Sequence, residues 1–140
     1  MSSWLMMFAG IASPSLRLYP IETHIAEKLH AYTLPRKRPN SRVKDLPDVA
    51  LLASVREIEG ARLRRALEQK FTSRKTHALP LALPTPPPAW AAPYARMVEE
   101  DDLRWADLPA LVRAVDAFLN PVLDGTATPT WMPSTWRWGS

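Results

Sequence analysis

Residues 20–33 read Pro20-Ile21-Glu22-Thr23-His24-Ile25-Ala26-Glu27-Lys28-Leu29-His30-Ala31-Tyr32-Thr33, and this stretch decides the fold class. Ile21, Ile25, Leu29 and Tyr32 recur at helical spacing, so residues 21–33 are expected to form an amphipathic helix. Pro20 suits its start, because a fixed φ fits a first turn. Pro35 and the basic run Arg36-Lys37-Arg38-Pro39 close the helix as a loop. Lys28 follows Ile21 by seven positions and Ile25 by three, so it lies along the apolar stripe. Lysine is rarely buried without a partner. It either snorkels its head to water past the stripe or directs an ammonium into a cleft, toward a phosphate or a carboxylate. Ala26, one turn from Glu22, is ordinary helix filler or a place of close approach.

The next segment downstream reads Arg42-Val43-Lys44-Asp45-Leu46-Pro47-Asp48. Pro47 is tolerated only in a first helical turn, so Asp45 is expected as N-cap of a second helix running to about Ile58. Asp45 and Asp48 then serve as cap and dipole complement. Alternatively, the density of charge holds a cation, orients a lysine, or places a base near a hydroxyl. Two acids alone make a weak metal site, because hard cations want more oxygens. A third helix is expected over 61–73, with Leu63, Ala66, Leu67 and Phe71 on one side. Residues 79–93 hold six prolines and read as a semi-rigid polyproline linker. Helices are expected at 92–100 and 107–119, the latter capped by Asp107, with Pro109 in its first turn and Pro121 beyond its end. The tail carries Trp131, Trp136 and Trp138, which pack back on the helices or form a loosely ordered end.

Before Pro20 stand a short extended run, Leu16-Arg17-Leu18-Tyr19, and the apolar stretch Trp4 to Ala12. The latter is too short to span a bilayer and lacks the basic flank of a signal peptide, so it reads as a buried strand or partial helix. The fold expected is mainly all-α, a small bundle of four to five helices. It divides into a short extended segment (1–19), a helical region (20–78), the Pro-rich linker (79–93), C-terminal helices (94–125) and a Trp-rich tail (126–140).

Hydrophobic content of 46% excludes wholesale disorder. The absence of cysteine excludes disulfides and thiolate metal sites, and fits a cytoplasmic address. The net charge of +4 is unevenly spread: residues 36–75 carry twelve Lys/Arg against five Asp/Glu, and residues 76–140 carry four against seven. A basic middle suits a phosphate-facing surface or a solvated helix face. His24, His30 and His77 show no ligand spacing and read as structural or surface residues. No G-x-S-x-G, Gly-rich phosphate loop or H-E-x-x-H is present.

Residues 19–31 resemble the third motif of the AbiEii/AbiGii nucleotidyltransferase toxin family, and residues 40–48 resemble its fourth, R-x-K-D-x-x-D. Phe71 with Arg74, the segment around Trp90 and the run Asn120-Pro121-Val122-Leu123 extend the likeness over most of the chain from about Ala9. Pro47 departs from the aromatic residue often found at its position.

The resemblance implies that Lys28 contacts a nucleotide triphosphate and that Asp45 sits at the active centre near the acceptor. Glu22, Arg42, Lys44 and Asp48 would orient them, and Lys28 would face the two acids across a pocket. It also implies Mg2+ and a nucleoside triphosphate as cofactors for the full-length family. None is expected to bind tightly to this chain alone. The family's first motif, a Gly-Ser followed later by a metal-binding D-x-D, does not occur in this sequence. The adjacent acids Glu99-Glu100 and Asp101-Asp102 lie in the wrong half and follow no Gly-Ser. A truncated gene, a fragment or one half of a split protein is therefore expected, inactive alone. Its partners would be an antitoxin or a separate N-terminal half, with nucleotide or RNA as ligand and no membrane. The rival readings are a helical RNA- or protein-binding module, and an adaptor offering Pro84-Thr85-Pro86-Pro87 as a P-x-x-P ligand.

Overall fold

The computed structural model describes residues 20–34, 42–127 and 129–139. Among these lie five α-helices: α1 (Ile21–Thr33), α2 (Asp45–Val55), α3 (Gly60–Arg74), α4 (Ala91–Asp101) and α5 (Leu108–Asp124). Short 3-10 turns, Arg42–Lys44 and Pro88–Trp90, lead into α2 and α4. The protein is mainly helical, as its periodicity predicts. The expected apolar run at Trp4 to Ala12, the extended run at residues 16–19 and the loop at residues 35–39 lie outside the described residues.

α1 packs on α2 and α3, and α5 backs both of those helices. The core joins Ile25, Leu29, Val49, Leu63, Leu67, Val115 and Phe118, each at most 1% exposed. α1 buries the stripe that its spacing predicts.

Three expectations about helix ends need correction. Asp45 does not cap α2. The 3-10 turn already has helical backbone, Lys44 stands at the cap with φ −70° and ψ −21°, and no side chain caps the helix. Pro47 is accommodated because it still falls in the first α turn. α2 ends at Val55 rather than about Ile58, since Arg56 turns extended at φ −164° and ψ 173°. Ile58–Glu59 then forms a short strand, β1.

α5 runs past Pro121 to Asp124. A proline inside a helix costs about 3 kcal/mol, partly through the lost i→i−4 bond. Here that cost is offset by burial of Val122 and Leu123, 2% and 1% exposed. Arg64 Nη1 also donates to the end carbonyls of Val122 and Leu123 at 3.1 and 2.8 Å. Gly125, at φ 83°, supplies the left-handed stop. The start of α5 is as expected, with Asp107 Oδ1 accepting from Ala110 N at 2.9 Å.

The tail packs back on the helices. Thr130–Met132 (β2) pairs antiparallel with both β1 and Arg137–Gly139 (β3). Each tail indole donates to a helix carbonyl: Trp131 to Ala53 at 2.8 Å, Trp136 to Ala114 at 2.9 Å and Trp138 to Phe118 at 2.9 Å. Ala53 O belongs to the last turn of α2, where carbonyls lack intrahelical partners. Trp131 therefore closes a helix end as well as filling the core.

The Pro-rich segment is extended, with Pro87 at φ −61° and ψ 142°, and it is fastened along its length. Leu83 N donates to Asn120 Oδ1 at 2.8 Å, and Leu83 and Trp90 are buried. It lies as a strap across the bundle.

Candidate functional site

Helical spacing brings Lys28 of α1 opposite the first turn of α2. Lys28 Nζ meets Asp48 Oδ2 at 2.5 Å. The two ends of this ion pair differ in exposure: the lysine side chain is 39% exposed and the aspartate side chain 7%. A buried carboxylate thus anchors a lysine whose side chain stays partly open to solvent. Asp48 Oδ1 is buried with no hydrogen-bond partner among the described residues. Burial pushes the Asp48 carboxyl up to about 6; the charge of Asp45 raises it further, while Lys28 and Lys44 pull it down. A carboxyl so placed holds or releases a proton near neutral pH.

Asp45 opens α2 one turn before Asp48 and is 2% exposed. Lys44 is exposed on the 3-10 turn. Arg42 begins that turn, and its side chain falls outside what the structure describes. Glu22 is buried on α1, but no hydrogen bond or ion pair among the described residues joins it to Lys28 or Asp48. The structure therefore brings together Lys28, Asp48, Asp45 and Lys44, and leaves Glu22 outside that contact set.

One wall of this region was not foreseen. Tyr32, one turn after Lys28, donates its hydroxyl to Pro84 O at 2.5 Å and meets the Trp90 ring edge-on at 5.7 Å. α4, which follows Trp90, also touches the Arg42–Lys44 turn. The strap thus borders the charged site. The i, i+4 spacing of Lys28 and Tyr32 was the available signal, and it needed the long-range position of the strap to acquire meaning. An open cavity of about 620 Å³ lies elsewhere, lined in part by Arg64, Phe71, Lys75, His77 and Leu79.

The acids at hand do not make a cage for a divalent cation. Asp48 already faces an ammonium, and no group of three or more His, Cys, Asp or Glu side chains converges among the described residues.

The family profile described as "Nucleotidyl transferase AbiEii toxin, Type IV TA system" matches residues 3–121. The chain belongs to the AbiEii nucleotidyl transferase toxin family. The match spans α1, α2 and the ion pair between them, together with the strap. No curated protein and no solved structure matches this AbiEii chain. Membership of a type IV toxin–antitoxin family implies an antitoxin as partner. Among the described residues, no helix of this AbiEii protein is long and apolar enough to cross a membrane.

Proposed function

We propose that this chain forms the phosphate-facing part of a nucleotidyl-transfer site and is inactive without metal-binding carboxylates from outside this sequence. The observation that carries this reading is the partly open side chain of Lys28, held by buried Asp48 beside Asp45. Lys28 holds the triphosphate of a nucleotide. Asp45 stands near the acceptor hydroxyl, and Asp48 fixes the lysine. Arg42, Lys44 and Glu22 complete the orientation, as the family motifs suggest. Nucleotidyl transfer depends on charge stabilisation of the moving phosphoryl group, which in this family is the task of Mg2+. The carboxylates of this chain do not fit that ion, so Mg2+ would be held by carboxylates from outside this sequence, while Lys28 by itself binds the triphosphate weakly. The setting is a cytoplasmic toxin–antitoxin pair.

The purified chain, given Mg2+, labelled GTP or CTP and total RNA, is expected to transfer no label. Lys28→Ala is expected to weaken binding of a non-hydrolysable GTP or CTP analogue by about tenfold or more, the loss typical of a hydrogen bond to a charged group. Labelled RNA would overturn the inactivity. Equal affinity in the variant would remove Lys28 from the phosphate site.

A second reading, RNA binding without catalysis, draws on α3. Its exposed side presents Arg62, Arg65, Gln69, Thr72 and Ser73 at helical spacing. Such side chains contact phosphate and sugar oxygens. Under this reading, RNA binding weakens steeply with salt, and the pair Arg62→Glu and Arg65→Glu lowers the salt slope by about 2. An unchanged slope rules out this face.

A further inference from the structure

Two histidines without ligand spacing in the sequence meet in the fold. His30, near the end of α1, and His77, where the strap begins, have ring centroids 4.8 Å apart. Four side chains then connect in one direction. The Thr33 hydroxyl donates to Leu29 O at 2.9 Å. In the tautomer with its proton on Nε2, His77 donates to the Thr33 oxygen, 2.7 Å away. A proton on Nε2 leaves His77 Nδ1 as acceptor for the Thr76 hydroxyl at 2.9 Å. The Thr76 oxygen in turn accepts from His30 Nε2 at 2.9 Å. With this polarity His77 must be neutral, since its Nδ1 accepts, whereas His30 Nε2 donates in either protonation state.

We propose that His30, Thr76, His77 and Thr33 form a pH-sensitive latch that fastens the start of the proline strap to the helix carrying Lys28.

A second proton on His77 lands on Nδ1, where it opposes the Thr76 hydroxyl and leaves Thr76 facing two N–H donors. It also sets an imidazolium against His30. The surroundings resist that charge. Arg74 and Lys70 of α3 act on His30, and Lys75 lines the cavity beside His77. On the same helices, Glu27 of α1 pairs with Lys70 at 3.3 Å and Glu68 of α3 pairs with Arg64 at 3.1 Å. Phe71 closes the remaining side, 5.1 Å from each imidazole.

Burial lowers His30, and His77, Arg74 and Lys70 lower it further; burial also lowers His77. A histidine held below its ordinary 6.5 favours the closed state above that pH. The contribution is lost as pH falls through 6.5 toward the depressed value. The strap beyond His77 carries Pro84 and Trp90 onto Tyr32. Opening the latch therefore loosens the wall beside Lys28. This inference does not depend on the nucleotidyl-transfer reading.

The test is hydrogen exchange on the full chain at about pH 7.5 and about pH 5.5, corrected for intrinsic rates, with NMR titration of the histidines. Both rings are expected to titrate below 6.5. Protection of the Leu83 amide, which donates to Asn120 Oδ1, should fall about tenfold more than that of α5 on acidification. In His77→Gln, which cannot titrate, this acid-dependent difference should vanish while the protein stays folded by circular dichroism. Thr76→Val should open the segment at both pH values. Strap protection independent of pH in the wild type, or an acid response kept in His77→Gln, would overturn the latch.

Discussion

Trp131→Ala is expected to cost about 3–5 kcal/mol of folding stability, the range for deleting a buried aromatic side chain. For a domain of this size that is a large fraction of the total. Trp131 is fully buried and makes three kinds of contact. Its ring lies 4.9 Å from Phe118, 5.0 Å from Trp136 and 5.6 Å from Trp138. Its indole N–H satisfies Ala53 O, and its backbone pairs with Ile58 and with Trp138. Trp131→Phe separates these roles. It keeps an aromatic ring but strands a buried carbonyl, which costs about 1–3 kcal/mol. Urea unfolding followed by circular dichroism measures both. A change below about 1 kcal/mol for the alanine variant would show that the tail does not belong to the core.

What could be read from the sequence was local. Ile21, Ile25 and Leu29 announce α1 because one periodicity fixes both the helix and its buried face. Asp107 announces α5 because a cap is decided within four residues. Its end could not be read, since Pro121 is a stop signal by itself. The helix continues because Arg64, from another helix, holds the carbonyls of Val122 and Leu123. The strap's extended form was written in its prolines, but its anchoring by Asn120 and Tyr32 spans long sequence separations. The tail strands, at three residues each, are too short to show alternation.

In the site, the pairing of Lys28 with the acids of residues 45–48 was legible as a motif. The acid that meets the lysine depends on helix phase. The 3-10 turn before Asp45 sets that phase, and no residue in the segment signals it alone. The histidine pair was hidden for the same reason as the strap contacts: His30 and His77 meet only through the packing of α1 on α3.

Asp48→Asn is expected to stabilise the fold at neutral pH while weakening the proposed site. In the native state this carboxyl is raised from 3.8 to about 6, chiefly by burial. Between those values the folded protein binds a proton that the unfolded chain does not. Stability from this group therefore falls as pH rises through the window and is lowest above about 6. The full difference is at most about 3 kcal/mol. Asparagine removes the charge but keeps a polar amide in a place where one oxygen already lacks a partner, so the net gain should be about 1–2 kcal/mol. Lys28, with its side chain 39% exposed, can recover water when its partner loses charge.

Should that gain be measured, the buried carboxylate is kept for something other than folding. The pH dependence separates this effect from the histidine latch, because the two have opposite signs. Acidification below 6.5 weakens the latch, and acidification toward 3.8 relieves Asp48. In the wild type the two trends partly cancel. In Asp48→Asn the contribution of Asp48 is gone and that of the latch is kept, so stability should fall more steeply on acidification than in the wild type. Urea unfolding of both proteins at about pH 7 and about pH 4.5 measures the difference. An asparagine variant less stable than wild type at neutral pH would mean that the ion pair holds the fold together, and the argument that Asp48 is kept for chemistry would lose its ground.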